Sequence, residues 1–200
     1  MQIVVALAFI TLVSQCTNNS VLFALEELTQ PPLSWEENHP ERAAWSKELK
    51  KQVVIHFDDL SSAKDMPYFC PTFHYLNNSQ KILALSEMMV WTAYYESSWN
   101  PNSASVDVGT KDDKDTWSVG LWQMSVVDQD NYKIYLDYNY RDLKNPIKNA
   151  RLALPILAKL IREHGYIMQK PGGGSYWSTL RKNRKAPLIA THVRDLEICK

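Results

Sequence analysis

From Gln80 to Ser98 the chain reads QKILALSEMMVWTAYYESS, with neither glycine nor proline. Ile82, Leu85, Met89, Thr92 and Glu96 recur at helical spacing, and Met88, Trp91 and Tyr95 widen the same apolar stripe. That periodicity predicts an amphipathic helix. Ser79 is its expected N-cap, and Asn100-Pro101 ends it, because a residue before proline is pushed out of the α region. A second helix is predicted from Asn145-Pro146, with the asparagine as cap and proline at the first helical position. Ile147, Ala150, Leu154, Leu157 and Ile161 line its apolar face, Gly165 ends it, and Pro155 should kink or break it. A last helix is expected over roughly Pro187 to Cys199, and a short one over Arg42 to Lys51.

Between the two main helices the period changes. Ser103–Val108 and Thr116–Met124 are β-prone pieces joined by the polar run Asp107–Asp115, which contains Gly109. Gln52 to Phe57 (QVVIHF) reads as a short strand or buried extended segment. Residues 17–40, polar and holding Pro31, Pro32 and Pro40, read as a tether. Pro171-Gly172-Gly173-Gly174 reads as a flexible loop. The expected organisation is an export signal over 1–16, an N-terminal extension over 17–64 and one globular domain over 65–200.

The N-terminus carries the export reading. No charged side chain occurs in the first 25 residues, and the apolar run Met1 to Val13 is too short to span a bilayer. The usual basic residue before such a run is missing. Val13-Ser14-Gln15-Cys16 faintly resembles a lipoprotein cleavage site, although Gln15 stands where a small residue belongs. With the leader removed, Cys70 and Cys199 remain. In an exported protein they are expected to be bridged, the other reading being two separate buried thiols. No Cys-x-x-Cys or His-Glu-x-x-His spacing occurs, so neither metal nor organic cofactor is expected.

Composition adds a lean rather than a decision. The chain has 200 residues, 45% of them hydrophobic, which suits one domain plus an extension. Seven tryptophans and ten tyrosines suit stacking on sugar rings, but they also fill cores. Formal charge is zero overall. Residues 1–132 hold 17 acidic and 8 basic side chains, and residues 133–200 hold 5 and 14. The basic part could meet an acidic wall polymer, or the two parts could simply complement each other. No nucleic-acid motif accompanies it, and a monomer is expected.

One pair of motifs names a chemistry. Glu96 stands in the last turn of the first helix, in Glu96-Ser97-Ser98-Trp99-Asn100-Pro101, and Gly120-Leu121-Trp122-Gln123 follows. A carboxyl group on the edge of a core-facing stripe loses water on ionising, and the carbonyl end of a helix disfavours its charge. Both effects favour the protonated form, which a leaving-group donor needs. A lone glutamate at a helix end is more often a solvated one; the second motif shifts the balance.

Together these motifs resemble the soluble lytic transglycosylase and goose-type lysozyme family, over about Cys70 to Cys199. The resemblance implies a mainly α, lysozyme-like α+β domain with a small antiparallel hairpin beside a cleft. It implies Glu96 as general acid/base, and Gly120, Leu121 and Gln123 as substrate-binding positions. The family's late Ala-Tyr-Asn-Ala-Gly motif is absent. Tyr176-Trp177-Ser178-Thr179-Leu180-Arg181 stands at a comparable point, as in a variant branch with Tyr-Trp-x-x-Leu-Arg, and Tyr176 is the candidate to support the site. A hydrolytic mechanism needs water activated, often by a second carboxylate, for which Asp107 is the candidate. The implied substrate is peptidoglycan, or a related amino-sugar glycan, cut at a β-1,4 bond. The alternative is a lysozyme-like protein that binds glycan without cutting it.

Overall fold

The computed structural model describes residues 31–106 and 113–200. Among them the helices are α1 (Ala43–Ile55), α2 (Phe57–Ser61), α3 (Met66–Phe69), α4 (Asn78–Ser97), α5 (Asp128–Tyr132), α6 (Pro146–His164), α7 (Gly173–Tyr176) and α8 (Ala186–Arg194). Strands β1 (Ala104–Ser105) and β2 (Ser118–Val119) pair antiparallel, Ala104 opposite Val119 and Ser105 opposite Ser118. This is a mainly α, lysozyme-like fold with one small sheet. The expected export signal, the Cys16 site and Asp107 lie outside the described residues.

Helix α4 is the axis of the domain. Asn77, not Ser79, caps it: its side chain accepts the Gln80 N–H at 2.9 Å while Gln80 reaches back to the Asn77 N–H at 3.1 Å. This reciprocal pair satisfies two N–H groups that the first turn leaves unpaired. The single apolar stripe expected from the sequence is too narrow. Ile82 through Val90 are all buried, including Ser86 and Glu87, because α1 and α8 both pack against this helix. Burial pushes the Glu87 carboxyl up in pKa, and it accepts the Ser34 N–H at 2.8 Å.

That last contact corrects the reading of the N-terminal part. Pro32–Lys200 form one unit, so residues 32–64 are domain rather than extension, and 33–36 are core rather than tether. Leu33 and Trp35 are each 1% exposed. Trp35 lies edge-on to Trp122 with ring centroids 6.0 Å apart, and its indole N–H donates to Ser46 at 2.7 Å. The QVVIHF segment is likewise not a strand. Trp45, Leu49 and Val53 repeat at helical spacing, and Leu49 and Val53 are fully buried on α1, so packing overrides local β propensity. Arg151 of α6 holds Glu48 of α1 with two bonds of 2.7 and 3.1 Å.

Helix α6 follows its sequence signals closely. The Asn145 side chain accepts the N–H groups of Ile147 and Lys148, Pro146 is the first helical residue, and Gly165 closes the helix at φ 82°. Pro155 does not break it. The helix continues through this position, with Leu154, Ile156 and Leu157 fully buried around it. That packing outweighs the one backbone hydrogen bond proline cannot make. The final helix is shorter than expected: α8 ends at Arg194, and a 3₁₀ turn over Glu197–Cys199 brings the last cysteine back.

Cys199 is bonded to Cys70, 129 residues earlier. The bridge ties the segment after α3 to the end of the chain, beside the Thr72 hydroxyl that donates to the Ile198 carbonyl at 2.5 Å. Closing so long a loop removes about 5 kcal/mol of unfolded-state entropy in the chain-entropy model. Reduction, or Cys70→Ser with Cys199→Ser, should therefore lower urea-unfolding stability by about 2–5 kcal/mol.

Candidate active site

Glu96 is the next-to-last residue of α4, and the chain turns away directly after it. Ser98 and Trp99 both take left-handed backbone conformations, at φ 55° and 57°. The Ser98 N–H returns to the Tyr94 carbonyl at 2.7 Å, and the Trp99 indole N–H to the Val90 carbonyl at 2.8 Å. This sharp exit leaves the Glu96 side chain at the mouth of a cleft while its stem stays packed. Burial raises its pKa above the ordinary carboxyl range. The Thr179 hydroxyl, donating to Oε1 at 2.5 Å, pulls the other way but less strongly. The helix's carbonyl end adds to the cost of a negative charge there.

The opposite wall is the hairpin turn, held by side chains from three other elements. Asn149, on α6 and 1% exposed, accepts the Trp122 N–H at 2.9 Å and donates to the carbonyls of Val119 at 3.0 Å and Leu143 at 2.9 Å. Ser97 donates to the Leu121 carbonyl at 3.0 Å, and the Trp177 indole N–H to the Trp122 carbonyl at 2.9 Å. Gln123 donates to the Gly120 carbonyl at 2.9 Å. Four consecutive carbonyls of the turn are thus met by side chains. Gly120 has φ 80°, and a Cβ there would lie 2.3 Å from the Leu143 carbonyl oxygen, so only glycine fits this close approach.

Between these walls lies a cleft of about 440 Å³ whose lining includes Glu96, Thr116, Gln123, Ser125, Asp128 and Tyr176. Three of the expected site residues, Glu96, Gln123 and Tyr176, therefore meet. Gly120 and Leu121 do not join them: Gly120 packs on Asn149 and Leu121 is fully buried in the core, behind the wall rather than on it. Gln123 is a hairpin clasp as well as a wall, since Ser105 also donates to its Oε1 at 3.0 Å. Tyr176 does not reach Glu96. Its phenol donates to Asp128, which also accepts the Ser125 N–H at 2.7 Å. The group on the Glu96 carboxyl is Thr179.

Thr179, Asp128 and Asn149 are the site residues that sequence reasoning missed. Thr179 lies inside the Tyr-Trp-x-x-Leu-Arg run, in which Tyr176, Trp177 and Arg181 also make side-chain bonds; Arg181, for example, donates to the Gly174 carbonyl at 2.7 Å. The preceding glycines are not a flexible loop. Gly173 and Gly174 are buried, and a Cβ on Gly174 would lie 2.4 Å from the Met168 carbonyl oxygen. Among the described residues no group of three or more His, Cys, Asp or Glu side chains could hold a metal. No described helix is long and apolar enough to cross a membrane.

Residues 76–173, from just before α4 to the start of α7, match one protein family. That family is the transglycosylase SLT domain, and the match spans just under half of the chain. No curated protein matches it in sequence. The solved structure of Bd0314 DslA, wild-type form 2, superposes on this chain with a TM-score of 0.72 at 23% identity, over 84% of this chain and 98% of its own. Two variants of the same protein, each with one glutamate replaced by glutamine, match at 22% identity with TM-scores of 0.71 and 0.72, over 97% of their own length. These are likenesses of fold.

The raised Glu96 pKa has a measurable sign. Its proton is bound more tightly in the folded than in the unfolded chain. The stability it contributes is complete below the ordinary carboxyl range and is lost as pH rises through the raised value. Glu96→Gln, which cannot ionise, should match the wild type in acid and melt higher at neutral pH. Thr179→Val removes the one bond that favours the anion. In a carboxyl-carbon NMR titration, the Glu96 midpoint should move further up.

Proposed function

We propose that the protein is an exported glycosidase of the lytic transglycosylase type, cutting β-1,4 bonds of peptidoglycan with Glu96 as general acid. The observation that carries this reading is the Glu96 carboxyl itself, half-buried, raised in pKa and lining a cleft in an SLT domain. The SLT family supports the substrate class, and a buried disulfide suits an oxidising compartment.

The first step transfers the Glu96 proton to the oxygen between two sugars as the C1–O bond breaks and the leaving sugar departs with a new hydroxyl. The ring left behind carries oxocarbenium character, facing a Glu96 carboxylate that Thr179 can stabilise. In transglycosylation the 6-hydroxyl of the same sugar attacks C1 and returns its proton to Glu96, giving a 1,6-anhydro end. Asp128 also lines the cleft, but Ser125 and Tyr176 already occupy its Oδ2, which favours this single-carboxyl route. One observation favours hydrolysis instead. The two glutamates replaced in Bd0314 DslA stand eleven residues apart, and Asp107 follows Glu96 at the same interval. Asp107 could then activate a water to attack C1.

The test incubates the mature domain with purified peptidoglycan and weighs the products. Anhydro ends are expected, and reducing ends would transfer the reading to a lysozyme with Asp107 as the second carboxylate. Glu96→Gln should lower turnover by at least about 100-fold, the range of general acid catalysis, while glycan binding persists. Unchanged turnover in that variant would end the proposal; binding without turnover in the wild type would favour a non-catalytic glycan binder.

A further inference from the structure

Four side chains that line the cleft with Glu96 have their hydrogen-bond direction fixed by a partner in the protein. The Thr116 hydroxyl donates to the Asp113 carbonyl at 2.7 Å and the Ser125 hydroxyl to the Asp115 carbonyl at 2.7 Å. The Gln123 amide donates to the carbonyls of Gly120 and Ser103 at 2.9 and 3.4 Å. Carbonyl oxygens only accept, so these hydrogens point into the protein. Tyr176 completes the set. Burial and the adjacent Asp128 hold its phenol well above its ordinary pKa, so it keeps its proton and donates it to Asp128.

What these four side chains leave toward the cleft are oxygen lone pairs. Glu96 differs. Thr179 occupies its Oε1 as a donor, so the acidic hydrogen of the protonated carboxyl belongs on the other oxygen. Glu96 and these four groups therefore have opposite polarity: one offers a proton, and the others offer places to receive hydrogens.

We infer that the wall around Tyr176 recognises the bound sugar through the sugar's own donors, its hydroxyl or amide hydrogens, and that Asp128 is a positioning residue that holds Tyr176 as an acceptor. This rests on the glycan reading above. It also sorts the substrate's oxygens. A bridging ether oxygen has no hydrogen to give, so it gains nothing from the acceptor wall and is directed to Glu96. The hydroxyls and amide of the flanking rings can each donate, and they settle against Gln123, Ser125 and Tyr176.

The test measures binding, by calorimetry, of a β-1,4-linked N-acetylglucosamine tetrasaccharide to the full chain carrying Glu96→Gln. Adding Tyr176→Phe should weaken binding about fivefold to tenfold, the size of one lost hydrogen bond. Adding Asp128→Ala should cost as much, and the two together no more than either alone, because one acts through the other. Asp128→Asn should bind like the parent, since its amide oxygen can still accept from both partners. If Asp128→Ala does not fold, the Asn and Phe variants carry the comparison. With the tetrasaccharide methylated on its hydroxyls and amide nitrogens, which keeps the oxygens but removes every donor hydrogen, Tyr176→Phe should cost nothing further. Equal binding by parent and Tyr176→Phe, additive losses, or an undiminished Phe penalty on the methylated ligand would each overturn the inference while leaving the glycan reading intact. A parent that binds no glycan would sink both.

Discussion

Asn149 holds the site together. A hairpin turn with two short strands cannot stand alone, and its backbone polar groups must find partners once it is pressed into the core. One buried amide on α6 meets both a donor and an acceptor of the turn, and Ser97 and Trp177 meet two more carbonyls. Because Ser97 adjoins Glu96 and Trp177 adjoins Tyr176, the same bonds that seat the turn also fix the distance across the cleft. Gly120 is part of this arrangement, since any side chain there would push the turn off α6.

The electrostatics of Glu96 follow from where α4 ends. A carboxyl group one turn earlier would be enclosed like Glu87, and one turn later would be solvated. At the penultimate position it is desolvated enough to hold a proton yet open to a ligand. Thr179 then offers a single hydrogen bond to the anion, which lowers the pKa without removing the preference for the acid. The Tyr176–Asp128 pair belongs to the facing wall, so the acid and the phenol act on different parts of whatever occupies the cleft.

Local chemistry made some features legible without a fold. Asn145, Pro146 and Gly165 mark the ends of α6 because capping and backbone preference act within a few residues. Helix α4 was plain from its periodicity, though its cap was misplaced by two residues. The QVVIHF segment was misread because β-branched residues favour strands only when nothing larger is at stake, and here Leu49 and Val53 are sealed by α4 and α6. Pro155 was expected to kink or break a helix that continues through it, with its neighbours buried.

The sequence by itself determined the two long helices, the cysteine pair and the carboxyl proposed as the acid, since each depends on residue types at short spacing or on a rare motif. Only the tertiary structure decided which oxygen each remaining group would face. Thr179 and Asp128 gain their roles from partners 83 and 48 residues away. Asn149 gains its role from carbonyls that become unpaired only when a turn and a helix meet. A hydrogen bond is satisfied by geometry within about 3 Å, and no spacing along a chain encodes that separation across a fold.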